Sequence, residues 1–544
     1  MKISRVAVQS NRPGDGRILF DLLRSYFPWV SVSEAAGEKR EAADVCGDWG
    51  AGVRGGTGTR AELRGNPAGA ADAGRLADAA EEIVPAGAAD AESSADPDVW
   101  VTLRQSPDWV ELLWREEGRT LGVRQPIEVR PFPEEAENRL RRVKRLALHR
   151  LLTRERGMPP NPWGVLTGVR PAKVAHRLMD QGFAEDEIRD FLTRDYGLKA
   201  SAADQLMSVA EYQRPFFLTG EEAGRCFSVY VGIPFCPTRC HYCSFPGFSL
   251  KQWGKYLPDY MRALRRELGV MGGELKALGV RIQTVYIGGG TPTVLDEAAL
   301  GELMEDIRRA LPLEADPEWT VEGGRTETLV RSKLRILIQG GANRLCINPQ
   351  TMHARTLEAV GRPGGLESMA KAFGEARLCG FRRINSDLIM GLPGEGPEEI
   401  RQSLEQLADF CPENITLHAL AIKRASAFKE RAESISLRTD IFDGAGIFLK
   451  ERGYRPYYLY RQKDILNQRE NVGYTLAGSA CLYNIQMMEE RQTVLGFGVG
   501  ASSKWVRPGE RTLEYSYNPK DILVYLERLD DILRKKVDKL REIV

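Results

Sequence analysis

The sequence predicts an α/β protein. Its centre is a parallel sheet, open or closed into a partial (β/α)6 TIM-like barrel, with an α+β domain before it and a C-terminal extension over the barrel mouth. Three observations lead there. Between residues 228 and 422, short apolar runs alternate with amphipathic helical stretches about six times. The 544-residue chain is 42% hydrophobic and 28% charged, enough for a large core and too long for one small domain. Composition also breaks sharply near residue 35 and recovers near 97.

Residues 1–150 form the expected N-terminal domain. KISRVAVQS alternates like a strand and RILFDLLRSYF has helical spacing. Residues 35–97 are rich in Ala, Gly, Asp and Glu and nearly free of large apolar residues, which predicts a disordered insertion with Cys46 a bystander. VWVTLRQSPDWVELLWREEGRTLGVRQPIEV then alternates around a turn at Glu117-Gly118, as antiparallel strands do. PEEAENRLRRVKRLALHRLLTRERG reads as one helix from near Pro133 to Gly157. Its stripe Leu140, Val143, Leu146, Leu148, Leu151 and Leu152 suits packing, and its basic run reads as a solvated face.

Residues 151–225 read as a helical linker region that opens with a dense signature, PWGVLTGVRPAKVAHRLMDQGF. The barrel spans 226–435. Its strand runs are SVYVGIPF (228–235), IQTVYIGGG (282–290), WTVEGG (319–324), RLCINPQ (344–350), INSDLIMGL (384–392) and ITLHALAI (415–422). In such folds chemistry gathers at the C-terminal strand ends. Residues 436–544, with TVLGFGVGASSKW, are expected to cover the mouth over the substrate.

Lys+Arg is 76 and Asp+Glu is 75, a balance that offers no nucleic-acid or membrane footprint. No apolar run after the N-terminal basic residues suggests a signal peptide, and no stretch reaches the roughly 18 apolar residues of a membrane span. A cytoplasmic protein is expected.

The nine cysteines do not read as a disulfide framework. Cys226, Cys346, Cys379, Cys411 and Cys481 are expected to be ordinary buried or partly buried thiols. Cys236, Cys240 and Cys243 differ: CxxxCxxC puts three thiols on one loop after a strand. A [4Fe–4S] cube is usually held by four cysteines, so three local ligands leave one iron open for chemistry. A zinc site needs a fourth ligand nearby, and His241 lies awkwardly between two of the cysteines.

YVGIPFCPTRCHYCSF resembles the radical S-adenosylmethionine (SAM) superfamily, and within it the oxygen-independent coproporphyrinogen III oxidase (coproporphyrinogen dehydrogenase) family, over roughly residues 160–505. PWGVLTGVRP, LHALAIKRAS, YYLYRQK, ENVGYTLAG and YNIQMMEERQTVLGFGVGAS are similar to its HemZ-type branch. The resemblance implies a [4Fe–4S] cluster on Cys236, Cys240 and Cys243, and one or two molecules of SAM. The residues it brings to SAM are Tyr230, the glycine-rich Gly289, Gly290 and Thr291, Glu322, Gln350, Arg362, Asp387 and Ala421. VEGGR departs here from the VEANP-like stretch of many relatives.

The family reaction is oxidative decarboxylation of two propionates of coproporphyrinogen III to vinyls, giving protoporphyrinogen IX in haem biosynthesis. It implies an electron donor such as a flavodoxin or ferredoxin, and an electron acceptor. Four substrate carboxylates call for cations: Lys423 and Arg424 foremost, then Arg325, Arg461 and Lys504. One residue departs from the pattern. Phe245 stands where the best-characterised dehydrogenases carry a further cysteine, and the haem-chaperone branch shares the phenylalanine. The chain lacks that branch's HNxxYW-like motif, having YNIQMM at 483–488. Two readings follow: a haem-pathway oxidoreductase, or a cluster-bearing haem-binding or haem-delivery protein. A radical SAM enzyme acting on another anionic substrate is a third.

Overall fold

The computed structural model describes residues 3–10, 12, 14–27, 30–36, 97–130, 132, 134–243, 247–362, 364–420, 440–462, 469–507 and 512–544. The insertion expected at 35–97 falls almost wholly outside them, as do Phe245, Ala421, Lys423 and Arg424.

The N-terminal unit comprises β1 (Arg5–Ser10), α1 (Asp15–Tyr26), β2 (Ser31–Ala36), β3 (Val99–Gln105), β4 (Trp109–Glu116), β5 (Arg119–Pro126) and α2 (Ala136–Arg150). Its sheet runs β2-β1-β3-β4-β5, with β1 parallel to both neighbours and β3–β4–β5 antiparallel. The β4–β5 turn is Glu117–Gly118, with φ 47° and 74°, the left-handed pair that a two-residue hairpin requires. Helix α2 runs on through a wide turn at Leu151–Glu155 and stops before Gly157, whose φ is 71°. Val143, Leu146, Leu148, Leu151 and Leu152 bury against this sheet, each worth about 1.5–3 kcal/mol.

The basic run of α2 is a solvated face only in part: Arg141 is exposed, whereas Lys144 and Arg142 are buried. Lys144 and Asp15 pair at 2.5 Å with side chains 3% and 2% exposed. Arg142 pairs with Glu134 at 2.8 Å and Asp195 at 3.1 Å. Each buried cation finds a carboxylate on another segment, which sequence spacing does not reveal.

The six barrel strands are β6 (Cys226–Ile233), β7 (Arg281–Gly289), β8 (Leu313–Glu322), β9 (Arg344–Cys346), β10 (Arg383–Met390) and β11 (Asn414–Ala419). All are parallel, neighbouring one another in chain order. Helices α3 (Leu257–Ala277), α4 (Glu297–Ala310), α5 (Arg331–Gly340), α6 (Leu366–Cys379) and α7 (Pro397–Asp409) connect them. Phe227, Val229, Val231, Ile282, Val285, Ile287, Trp319, Val321, Ile415 and Leu417 join the helix-side core. By the two-residue pleat, Ser228, Tyr230, Tyr286, Glu318, Thr320, Glu322, Arg344, Cys346, Asp387, Thr416 and His418 then face the barrel interior. This is the partial barrel the sequence predicts.

The chain continues through β12 (Arg455–Tyr460), β13 (Asn471–Thr475), α8 (Leu482–Glu489), β14 (Val494–Phe497), β15 (Ser502–Val506), β16 (Leu513–Tyr517) and α9 (Leu529–Ile543). These strands extend both edges, giving the order β12-β13-β11-β10-β9-β8-β7-β6-β14-β15-β16. Within 436–544, the segment expected over the mouth, α8 stops the opposite, N-terminal end of the barrel. Glu318 accepts the Leu482 and Tyr483 backbone N–H groups at 3.0 and 2.9 Å, and Arg344 donates to the Ser479 and Ala480 carbonyls at 3.0 and 2.8 Å. A carboxylate at the first turn of α8 also suits its dipole.

Candidate active site

The cysteine loop leaves β6 and is clamped from three sides. Thr291 N–H donates to the Phe235 carbonyl at 2.7 Å, and Gly290 N–H to the Ile233 carbonyl at 2.8 Å. The approach is close enough to exclude any side chain at 290: a Cβ there would lie 2.5 Å from Phe235 O and 2.9 Å from Cys236 Sγ. His241 donates its backbone N–H to the Val360 carbonyl at 3.0 Å, and its Nδ1 lies 3.1 Å from the Ala359 carbonyl. Arg325 Nη2 reaches Thr238 O at 2.8 Å and Cys240 Sγ at 3.4 Å.

Cys236, Cys240 and Cys243 are all partly buried, and none is in a disulfide. Burial raises the Cys236 thiol pKa; Cys243 and Cys240 push it the same way, being close by, and the Thr291 hydroxyl, 3.6 Å from the sulfur, opposes. Among the described residues no three His, Cys, Asp or Glu side chains converge on a point suited to one ion. A cube spreads its ligands over separate irons and asks for a looser triangle.

Beside the loop, the interior residues of β6–β8 meet. Tyr230 stacks on Tyr286 with centroids 6.2 Å apart, and Tyr286 on Tyr483 of α8 at 4.5 Å. Tyr286 OH donates to Glu322 Oε1 at 2.7 Å. Burial pushes the Glu322 carboxyl up to about 7, against that hydrogen bond and with the help of the Asp387 charge. Gly289, with φ 109°, continues β7 where its own Cβ would crowd Tyr230 OH at 3.3 Å.

Gln350 follows β9 in a left-handed conformation, φ 70°, held because its N–H donates to Asp387 O at 2.9 Å and its carbonyl accepts Ile389 N–H at 2.8 Å. Such strain concentrates at ligand sites. Gln350 Oε1 and Asn348 Oδ1 are buried acceptors with no partner among the described residues. Asp387 lies 3.6 Å from His418 Nε2, and His418 Nδ1 lies 3.2 Å from Tyr460 OH. Arg362 ties three loops together through Gly324 O, Asn348 O and, at 3.2 Å, Tyr242 OH. A bidentate contact to a ligand carboxylate therefore requires it to release these carbonyls.

Gly290 and Thr291 touch the cysteine loop, Arg362 reaches its Tyr242, Tyr230 and Glu322 both lie against Gly289, and Gln350 bonds the Asp387 backbone. Sequence reading missed Tyr286, Tyr483, His418, Tyr460, Tyr242 and Asn348. The first four alternate within strand or helix runs as ordinary core aromatics or polar fillers do. Of the expected substrate cations, Arg325 turns to the cysteine loop. Arg461 lies buried over the Trp163 ring, 5.6 Å from its centroid, and bonds Leu166 O. Lys504 pairs with Glu490 at 3.0 Å. Cys411, expected to be at least partly buried, is exposed just after the end of α7.

The residues fit both groups the sequence implies. Three thiols lie on one loop. The glycine cradle lets a ligand meet bare backbone, and two unpaired buried acceptors await donors such as the ammonium and ribose hydroxyls of SAM.

Residues 230–407 match the radical SAM superfamily. The chain is 36% identical over 387 residues to the oxygen-independent coproporphyrinogen-III oxidase-like protein HemZ of Bacillus subtilis, covering 70% of this chain and 77% of the relative. It is 29% identical over 289 residues to the heme chaperone HemW of Escherichia coli, covering 53% and 72%. Among solved structures, the coproporphyrinogen III oxidase HemN of Escherichia coli, a radical SAM enzyme, aligns with TM-score 0.46 and 25% identity over 57% of this chain and 70% of that one.

Proposed function

We propose that this chain, which belongs to the radical SAM family of oxygen-independent coproporphyrinogen III oxidase-like proteins, converts coproporphyrinogen III to protoporphyrinogen IX by oxidative decarboxylation of two propionates. Its cofactors are a [4Fe–4S] cluster and SAM. Bound together, they supply hydrogen-atom abstraction started by one electron.

Cys236, Cys240 and Cys243 hold the cluster on a loop whose shape Thr291, Arg325 and His241 fix. Gly289 and Gly290 present backbone to the methionine end of SAM. Glu322, Gln350 and Asp387 accept its donors, and Tyr230 packs beside them. Arg362 balances its carboxylate. The Tyr230–Tyr286–Tyr483 stack and α8 close the floor, which keeps water from the reacting carbon. In sequence, Ala421, Lys423 and Arg424 follow the last barrel strand, and Lys423 and Arg424 are the proposed partners of the tetrapyrrole carboxylates. A flavodoxin- or ferredoxin-like donor supplies the starting electron, and an external one-electron acceptor takes the electron left when carbon dioxide departs. No helix among the described residues is long and apolar enough to cross a membrane, and the cytoplasm is the proposed compartment.

The observation that supports the reading most is a loop of three thiols after β6, a glycine cradle after β7 pressed against it, and after β9 the buried Gln350 acceptor with no partner among the described residues. The tetrapyrrole substrate draws its support from the HemZ relative. A second reading, haem binding or delivery without turnover, is favoured by the relatives named heme chaperone HemW and by Phe245. Cluster-loaded protein, assayed anaerobically with SAM, a low-potential reductant and coproporphyrinogen III, separates them. Vinyl product supports the oxidoreductase. No product alongside stoichiometric haem binding sinks it.

A further inference from the structure

The geometry points to Arg325 as a positioning residue that sets the reduction potential of the cluster through a hydrogen bond to the Cys240 sulfur. The inference rests on the cluster reading above but not on the choice of substrate.

Arg325 comes to this place through two glycines. The loop after β8 reads Gly323-Gly324-Arg325. A Cβ at Gly323 would lie 2.8 Å from Leu329 Cδ2 and 2.9 Å from Cys346 O, so only glycine lets the loop press onto the barrel end. Gly324 then turns with φ 55°. The chain thereby carries the Arg325 side chain beneath the cysteine loop, where it is 3% exposed. One nitrogen, Nη2, meets Cys240 Sγ at 3.4 Å, Thr238 O at 2.8 Å and Thr238 Oγ1 at 2.9 Å. Nη1 faces Glu327 at 3.4 Å, whose side chain is 43% exposed and so screened by solvent.

A guanidinium keeps its proton at any working pH. Its N–H···S bond would draw charge from the ligand sulfur, and its buried positive charge would act on a cluster held by that sulfur. Both favour the cluster state with one electron more, since sulfur hydrogen bonds and local charge are the levers that set such potentials. The electron comes from the external one-electron donor and stays on the cluster; no bond is made or broken at Arg325. Removing the guanidinium must lower the potential.

The test is a reductive titration of anaerobically reconstituted protein with dithionite and redox mediators, without SAM or substrate. The reduced cluster is followed by electron paramagnetic resonance, and iron is counted per chain. In R325Q the reduced-to-oxidised ratio at the wild-type midpoint should fall about tenfold, equal to about 59 mV for one electron. In R325K, which keeps the charge but loses the fork, the fall should be smaller, about threefold. An R325Q cluster with full iron and a ratio within twofold of wild type overturns the inference, since a merely structural role lowers iron content or melting temperature and leaves the midpoint of the loaded fraction in place. If R325Q takes up no iron, R325K decides alone: an unchanged midpoint overturns the inference and a lowered one supports it. A wild-type chain that itself binds no iron ends both this inference and the cluster reading, whereas absent porphyrin turnover touches neither.

Discussion

Tyr286 donates its hydroxyl proton to Glu322 Oε1 at 2.7 Å, across the tops of two adjacent barrel strands. The pair joins the aromatic floor of the barrel to the carboxyl proposed for SAM. The hydrogen bond favours the carboxylate, yet burial outweighs it and Asp387 adds repulsion, so Glu322 titrates at about 7.

SAM affinity should therefore depend on pH. The proposed donors of SAM need Glu322 ionised. Because the free protein holds a proton there below about 7, binding below that pH must expel it. Affinity should be flat above pH 7 and fall by up to about tenfold per unit below it. E322Q should weaken binding at pH 8 by about 1.5–3 kcal/mol, as loss of a charged acceptor does, and flatten the profile. Calorimetry on cluster-loaded protein checks this; affinity that rises on acidification refutes it.

Gly290→Ala should damage the cysteine loop selectively. The new Cβ meets backbone, Phe235 O at 2.5 Å, as well as Cys236 Sγ at 2.9 Å, and backbone cannot swing aside. Overpacking of this kind costs about 1–3 kcal/mol. Iron per chain should fall in reconstituted protein while far-ultraviolet circular dichroism stays unchanged. Gly374, within α6, is the contrast: a Cβ there meets nothing within 4 Å, so G374A should stabilise by up to about 1 kcal/mol.

Cys240→Ala should abolish both the brown cluster absorbance and SAM cleavage, because no fourth protein thiol stands on the loop to replace it. Cys411→Ala, at an exposed position after α7, should change neither. Retained SAM cleavage in C240A would mean that the ligands are assigned wrongly.

How much of this was legible follows from where each signal is stored. The six barrel strands were legible because β-branched and apolar runs such as SVYVGI and TVYIG are local, and glycines punctuate their ends. The thiol loop was legible by its spacing. Glu318 was not, since its partners Leu482 and Tyr483 lie 164 and 165 residues away. The aromatic floor hid for the same reason: Tyr286 and Tyr483 meet only after the chain has closed the barrel from below. Arg325 was noticed as a cation, but spacing does not say which way a side chain turns, and two glycines turned it to Cys240. His418 and Tyr460 become a pair with Asp387 only once β12 lies beyond β13 at the sheet edge.

Glu267 and Lys536 give the last prediction. Lys536 of α9 meets Glu267 of α3 at 2.6 Å, with side chains 6% and 0% exposed. Glu267 also accepts Gly498 N–H at 2.8 Å, Tyr525 OH at 2.8 Å and Asn518 Nδ2–H at 3.0 Å. One carboxylate thus pins the C-terminal helix, the turn after β14 and the helix that follows the cysteine loop. Burial alone would raise its pKa; Lys536 and the hydrogen bonds reverse that and hold it below the usual range. K536M leaves a buried carboxylate uncompensated and should cost about 3–5 kcal/mol. The cost should shrink as pH falls. Without Lys536 the folded-state pKa of Glu267 rises above its unfolded value, so below that raised pKa the carboxyl takes a proton and its burial is no longer penalised. Urea unfolding of K536M at pH 8 and pH 5.5 reads this directly. E267Q/K536M should lose less than the two single losses added together, since each single change leaves one bare charge and the pair leaves none. Strict additivity, or a K536M cost that grows on acidification, would place the anchoring of α9 in its apolar face instead.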